Sequence, residues 1–136
     1  MRWQLLALAA GVAGLGISIY LTAVHYAGVP LACPATGTIN CEAVLSSRYA
    51  VITGTNVPTS AAGIVWFGVS ALLWTRPFGR FQLAWSALGL VTALFLVYVE
   101  IVQLGAICLW CTAAHILVLV IFLIAVTTAS GVRVRS

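Results

Sequence analysis

Two cysteines separated by two residues, Cys108 and Cys111, lie where a long apolar stretch of the chain begins. Residues three apart on a helix are neighbours on one face, and a helix N-terminus favours the thiolate, which is the reactive form of cysteine. Such a thiol pair can cycle with a disulfide. Two more cysteines, Cys33 and Cys41, stand earlier in the chain. Because exchange between two cysteine pairs moves two electrons without a metal or a flavin, the cysteines predict a thiol redox relay.

Two other uses of the four cysteines remain open from the residues alone. Four thiols allow three pairings, so two static disulfides are possible, and free cysteines also pack well as small buried hydrophobes. The four could instead hold a zinc ion if the segment with Cys33 and Cys41 folds over the other pair. However, seven residues separate Cys33 from Cys41, whereas about two to four usually separate paired zinc ligands.

Few ionisable side chains lie within the apolar stretches. His115 stands four residues beyond Cys111 on the same predicted helix face, and ionisable groups inside a membrane usually point inward and are functional candidates. The alternative is a buried histidine that bonds to a neighbouring hydroxyl or carbonyl group. We predict that His25 is an interfacial anchor and that Glu100 is an interfacial charge at the outer end of a helix.

The composition excludes a soluble globular protein. Of the 136 residues, 63% are apolar and 6% are charged, whereas a soluble domain is about 45–50% apolar and about 25% charged. Too few polar side chains remain to cover a surface that faces water. The net charge of +4 comes mainly from arginines that flank the apolar runs. These do not form a basic patch of the kind that binds nucleic acid. We therefore expect membrane lipid, and no nucleic acid, around the protein.

Four apolar runs have lengths close to the ~20 residues that cross a membrane as a helix. They are residues 5–26, 58–75, 81–100 and 108–129. The sequence thus predicts an all-α integral membrane protein, a four-helix bundle that forms a single domain over residues 1–136. A cleaved signal peptide is the alternative for the first run, but that run ends in bulky Tyr26 and not at a small-residue cleavage site.

The arginines alone give the orientation, since the chain contains no lysine. Those that flank the apolar runs are Arg2, Arg76, Arg80, Arg133 and Arg135. By the positive-inside rule these flanks and both termini are cytoplasmic, so the loop 27–57 and the connection before the last helix lie outside. All four cysteines then face the periplasm or an equivalent oxidising compartment, where disulfide chemistry persists.

The outer loop 27–57 is far longer than a usual helix connection, and loops of this length are usually functional or disordered. Its composition argues against disorder. Asn40 is a good N-cap, and Glu42 would follow in the first helical turn. Apolar side chains then fall near one face, so we predict a short amphipathic helix at residues 41–49, on the membrane surface or over the bundle. Pro58 suits the first turn of the next helix.

The first apolar run carries a stripe of small side chains that recur every four residues: Ala10, Gly14, Ser18 and Thr22. Such a stripe lets helix backbones approach closely in lipid. We predict that this face packs against a neighbouring helix.

The order of these residues resembles a known family. Cys33 is followed by seven residues and Cys41, then by Ser-Ser-Arg-Tyr at 46–49, and Cys108-x-x-Cys111 opens the last helix. This order resembles the vitamin K epoxide reductase family in its bacterial form, over essentially the whole chain. Another bacterial quinone-linked family of disulfide-forming proteins also has four helices, but there the Cys-x-x-Cys pair lies early. The lack of lysine favours a bacterial plasma membrane enzyme over one of the endoplasmic reticulum.

The resemblance implies four helices around a quinone, a half-helix lid on the outer side, and electron transfer from thiols to the quinone. Cys111 would reduce the quinone, with Cys108 as its partner. Cys41 would form the transient disulfide with Cys108, and Cys33 would meet a separate, periplasmic thioredoxin-like (DsbA-like) protein. The quinone would be of the menaquinone, ubiquinone or vitamin K type, and no metal is implied.

Three further residues are implied to bind the substrate. Ser47 matches the serine that the family has near the quinone-side cysteines. Vertebrate members carry an asparagine near the start of helix 2 and a tyrosine four residues beyond the second active cysteine, where this chain has Thr59 and His115. Both can still hydrogen-bond a quinone oxygen. Reduction of vitamin K epoxide itself, and a non-catalytic membrane scaffold with static disulfides, remain the alternatives.

Overall fold

The chain is helical through most of the part that the structure describes. The computed structural model describes residues 2–30, 32–33, 37–76 and 79–135, and of residues 132–135 only the helical backbone. The α-helices are α1 (Arg2–Ala27), α2 (Cys41–Leu45), α3 (Thr59–Leu73), α4 (Arg80–Tyr98) and α5 (Leu109–Arg135). α1 packs on α3 and on α5, and α5 also packs on α4.

Three helical segments of the described residues are long and apolar enough to cross a membrane. They are Arg2–Ala27, Arg80–Leu104 and Leu109–Gly131. The predicted run 58–75 forms only the 15-residue α3, which at 1.5 Å per residue covers about 22 Å of a hydrocarbon core about 30 Å thick. Large apolar side chains on the outside of the bundle, such as Leu72 at 69% exposure, suit contact with lipid. The prediction of an all-helical membrane protein is confirmed.

The small-residue stripe of α1 faces another helix, as predicted, and that helix is α3. Gly14 lies directly against the ring of buried Phe67. One turn further on, Ser18 is only 4% exposed. The hydroxyl groups of Thr22 and Ser60 then lie 2.8 Å apart across the interface. Small side chains thus allow the two backbones to approach closely, which in lipid is a main source of helix association.

We expect Gly14→Ala to destabilise the fold, because the added β-carbon would overlap the Phe67 ring. Overpacking of this kind typically costs about 1–3 kcal/mol. Gly16→Ala is the matched control in the same helix, since nothing lies within 4 Å of a β-carbon there, and alanine gains up to about 1 kcal/mol of helix propensity. Thermal unfolding in detergent measures both variants. Equal melting temperatures for the two variants would contradict the close contact of α1 with α3.

The short helix predicted at residues 41–49 is shorter in the structure. α2 ends at Leu45, and a separate 3-10 turn covers Arg48–Ala50. The hydroxyl groups of Ser46 and Ser47 each donate to a backbone carbonyl of the preceding turn, at 2.7 Å. Hydroxyl donors of this kind compete with the helical hydrogen bonds, which explains why the helix does not continue.

The starts of α2 and α3 differ in how closely they follow prediction. The Asn40 side chain accepts a hydrogen bond from the backbone N–H of Ala43 at 3.1 Å, so the predicted N-cap is confirmed. Pro58 lies in extended conformation just before Thr59, the first residue of α3. The prediction that Pro58 belongs to the first helical turn is therefore wrong by one position, and the proline marks the boundary of the helix.

α4 continues beyond its predicted end at residue 100. It passes into a π-helix, Val99–Leu104, that ends at Gly105 with a left-handed φ of 61°. Glycine adopts this conformation without steric cost. A π-helix widens each turn and so changes the direction in which its side chains point, and such segments occur often at functional sites. Residues 105–108 then lead directly into α5.

The two ends of the bundle carry different residues. At one end, the Gln4 side-chain amide donates to the carbonyl groups of Trp74 at 3.0 Å and Arg76 at 3.3 Å, so the start of α1 lies beside the turn between α3 and α4. At the other end, the backbone just before α2 pairs with the backbone just before α5. Arg2, Arg76 and Arg80 thus lie at the end of the bundle opposite Cys41 and Cys108.

Candidate functional site

Two backbone hydrogen bonds bring the two cysteine pairs together. The N–H of Asn40 donates to the carbonyl of Ile107 at 3.0 Å, and the N–H of Ile107 donates to the carbonyl of Thr38 at 2.8 Å. Cys41 follows Asn40, and Cys108 follows Ile107. This short parallel bridge therefore places both cysteines side by side, where α2 and α5 begin.

The two pairs differ in oxidation state. Cys33 and Cys41 form a disulfide, with their Cα atoms 6.2 Å apart, whereas Cys108 and Cys111 are free thiols. Cys41 and Cys108 belong to one buried apolar cluster. An oxidised pair and a reduced pair therefore meet at one cluster.

Cys108 lies immediately before α5, and its sulfur caps that helix. The backbone N–H of Cys111 donates to Cys108 Sγ at 3.4 Å. A hydrogen bond from the Cys111 thiol lowers the pKa of the Cys108 thiol below its ordinary value, although burial opposes this effect. The thiolate is the form that attacks a disulfide. Cys108 is therefore suited to exchange with the disulfide beside it.

The segment that carries Cys33 is held against α5 by two aromatic residues. Trp110 Nε1 donates to the carbonyl of Ala32 at 2.9 Å, and the N–H of Ala32 donates to the Tyr20 hydroxyl at 3.4 Å. The rings of Tyr20 and Trp110 pack with their centroids 4.8 Å apart. Sequence reasoning missed both residues, since neither differs in type from an ordinary membrane-interface aromatic.

A cavity of about 510 Å³ lies between the helices, next to the cysteines. Most of its wall is apolar and comes from α3, α4 and α5, with residues such as Val65, Trp66, Phe67, Trp85, Leu88 and Val118. Its polar side chains include Ser47, Tyr49, Thr59, Glu100, Cys111 and His115. This volume, with few polar groups in an apolar wall, is typical of a small-molecule site. Of the two thiols, Cys111 is the one that lines it.

The three residues expected to bind the substrate all line this cavity, but their hydrogen bonds differ. The hydroxyl of Ser47 donates to the carbonyl of Val44, and that of Thr59 to the carbonyl of Tyr49, at 2.7 Å each. Since a quinone carbonyl needs a donor, neither hydroxyl can serve one without breaking its present bond. His115 is different, because its Nδ1 is buried and has no hydrogen-bond partner.

Glu100 is not an interfacial charge, and that prediction is wrong. It lies in the π-helix and is only 5% exposed. Its Oε2 accepts the backbone N–H of Cys108 at 3.2 Å, and its Oε1 lies 4.0 Å from His115 Nδ1. The first N–H groups of a helix need acceptors outside the helix, and Glu100 supplies one at the start of α5. An acidic residue inside an apolar run was the signal in the sequence. His25, which we predicted to be an interfacial anchor, is exposed and also lines the cavity.

A helical membrane protein with two cysteine pairs beside an apolar cavity has the parts of a membrane thiol oxidoreductase. The model of the Vitamin K epoxide reductase family matches residues 5–126, and the chain belongs to that family. The resemblance inferred from the cysteine order and the Ser-Ser-Arg-Tyr segment is thus confirmed. The family consists of membrane oxidoreductases that act on quinones and disulfides.

Proposed function

We propose that this chain is a membrane thiol:quinone oxidoreductase that supports disulfide bond formation. A thioredoxin-like protein gives two electrons to the Cys33–Cys41 pair, which passes them to the Cys108–Cys111 pair, which reduces a quinone. The observation that carries this proposal is the arrangement of one oxidised and one reduced pair in contact with a single buried cluster, with Cys111 on the wall of an apolar cavity.

The exchange balances without any further reactant. When Cys41 attacks the Cys108–Cys111 disulfide, a Cys41–Cys108 bond forms and the Cys111 thiolate leaves. Cys33 then attacks Cys41, the loop disulfide closes and Cys108 leaves as a thiolate. The product has the loop pair oxidised and the inner pair reduced, which is the oxidation state of the structure. Two thiols then give two electrons and two protons to the quinone, which becomes a quinol.

The proposed orientation follows from the two ends of the bundle. All of residues 1–136 form one domain. The helices α1, α3, α4 and α5 all cross the membrane, and the residues on either side of the short helix α3 complete its crossing. Both termini lie on the cytoplasmic side of a bacterial plasma membrane, because the arginine flanks favour that side. The cysteines face the periplasm, where a thioredoxin-like partner meets Cys33.

The substrate is a prenylated quinone of the menaquinone, ubiquinone or vitamin K type. Its ring would lie by Cys111, Thr59, Ser47 and His115, and its apolar chain would follow the apolar part of the cavity wall. His115 supplies the hydrogen-bond donor for a quinone oxygen, since the hydroxyl groups of Ser47 and Thr59 are directed to backbone carbonyls. These two hydroxyl oxygens can accept a hydrogen bond from the quinol.

Quinone should control the oxidation state of all four cysteines. Purified protein, reduced with dithiothreitol and freed of it under anaerobic conditions, is mixed with menadione or a short-chain ubiquinone, and the thiols are alkylated at intervals. We expect one quinol for every two thiols lost, and disulfides only when quinone is present. Cysteines whose oxidation does not depend on quinone would identify static disulfides and overturn the proposal. Mass spectrometry of the copurified lipids then identifies the bound quinone.

A further inference from the structure

We propose that Glu100 and His115 form a pair that carries one of the two protons from the thiols to the quinone, with Glu100 as the residue that positions and reprotonates the His115 ring. This inference rests on the proposed function and adds a residue to its site. The carrying observation is geometric: a buried carboxyl group and a buried, unpartnered imidazole nitrogen face each other beside Cys111.

The placement of Glu100 suits contact with both the thiols and the histidine. One carboxyl oxygen is held by the N–H of Cys108 at 3.2 Å, so the side chain is fixed at the start of α5. The other oxygen lies 4.0 Å from His115 Nδ1, beyond hydrogen-bond distance but within reach of a side-chain rotation. Glu100, His115 and Cys111 all line the same cavity.

An isolated negative charge on a buried carboxyl group that accepts only one backbone hydrogen bond has a high free-energy cost. Water is largely excluded, since the side chains of Glu100 and His115 are only 7% and 13% exposed. Ionisable groups at such depth in a membrane protein are rare and commonly belong to proton pathways. The π-helix that turns Glu100 toward α5 is itself a departure from regular helix of the kind found at functional sites. A purely structural clamp would need only an acceptor for the Cys108 N–H, which an uncharged amide provides.

The proposed step moves two electrons and two protons from the inner thiols to the quinone. Cys108 and Cys111 lose two electrons and two protons as the sulfur–sulfur bond forms, and the quinone gains both electrons and both protons. His115 gives the proton on its ring to one quinone oxygen and takes a proton at Nδ1 from the Glu100 carboxyl. The carboxylate then takes up a proton released by the thiols, so the pair regains both of its protons. The imidazole proton moves from Nδ1 back to the other ring nitrogen before the next cycle. The second thiol proton reaches the other quinone oxygen without using the pair.

Glu100→Gln separates the proton function from the structural one, because the amide keeps the size of the side chain and an acceptor for the Cys108 N–H. In stopped-flow experiments the full chain, with the loop pair oxidised and the inner pair reduced, is mixed with menadione. We expect the quinone step to slow by about 10²-fold or more, the range of positioned proton transfer. The melting temperature and the rate of exchange between Cys41 and Cys108 should stay unchanged. Gln103→Ala is the control, since Gln103 lies in the same π-helix as Glu100 but is exposed.

A second variant and a pH profile test whether the two residues act as one unit. His115→Gln should slow the same step by a similar factor, and the double variant should be no slower than either single one, because groups in one pathway are non-additive. The pH profile of the quinone step should change in both variants. Both variants keep the other titratable groups around the pair. Cys108, just before α5, contacts Glu100, and Cys111 on α5, His25 on α1 and Tyr49 in the outer loop line the same cavity.

Two outcomes overturn the inference. One is a quinone step in Glu100→Gln within about threefold of the wild type, well below the effect of positioned proton transfer. The other is a double variant in which the fold-loss of rate equals the product of the two single-variant losses. Failure of the proposed function is distinguishable, since the wild-type protein itself would then show no quinone-dependent oxidation of Cys108 and Cys111.

Discussion

Replacing Cys111 by serine will abolish quinone reduction, down to the uncatalysed background, while exchange of thiols with the Cys33–Cys41 pair continues. The reason is the position of the two inner sulfurs. Cys111 lines the cavity, whereas Cys108 is fully buried in the cluster that it shares with Cys41. Serine keeps a small polar side chain at position 111 but cannot form a disulfide or give up electrons.

Thiol exchange and quinone reduction are measured separately, the first with a reduced model dithiol and the second with a quinone. Exchange at the loop pair is followed by alkylation and gel shift, and quinol formation by absorbance. Cys33→Ser is the matched control, because it removes a loop cysteine and should leave the single oxidation of the inner pair by quinone intact. Quinone-dependent turnover that persists in Cys111→Ser would remove Cys111 from the quinone step.

Features that depend on neighbours along the chain could be predicted from the sequence. The stripe of small residues on α1 gave the packing face, since positions four apart share a side of any helix. Asn40 gave the N-cap of α2, because the capping bond spans only three residues. The order of the cysteines gave the family. In each case the deciding interaction is local or is a property of residue type.

Features that depend on distant pairing could not be predicted in the same way. The backbone bridge that aligns Cys41 with Cys108 joins Thr38 and Asn40 to Ile107 and leaves no pattern in the residue types. The burial of Glu100 depends on a π-helix, which the periodicity of apolar residues does not predict. The hydroxyl directions of Ser47 and Thr59 depend on which backbone carbonyl is nearest in the folded chain, and this decides whether they can donate to a ligand.

The structure gives the two inner cysteines different partners although they are three residues apart. Cys108 contacts the cluster under the outer loop, and its sulfur receives hydrogen bonds from Cys111. Cys111 contacts the cavity. In the proposed cycle, a pair divided in this way takes electrons through Cys108 and releases them through Cys111. Both the loop disulfide and the inner disulfide open and close in each cycle.

Replacing Cys33 by serine should trap the intermediate in which Cys41 is joined to Cys108. Cys41 lies beside Cys108 because of the backbone bridge, so it can still attack the inner disulfide once quinone has oxidised it. Without Cys33, only the reverse attack of Cys111 on Cys108 can break the mixed disulfide. The Cys41–Cys108 bond should therefore accumulate, with Cys111 left as a free thiol. Alkylation followed by peptide mapping identifies the bonded cysteines.

Cys41→Ser is the matched variant for this experiment, and it should show no comparable bond. Cys33 belongs to the segment that Tyr20 and Trp110 hold through Ala32, while Cys41 begins α2 in the buried cluster next to Cys108. The two loop cysteines therefore have different access to the inner pair. A dominant Cys33–Cys108 bond in the Cys41 variant, with no trapped bond in the Cys33 variant, would reverse their roles and place the partner protein at Cys41.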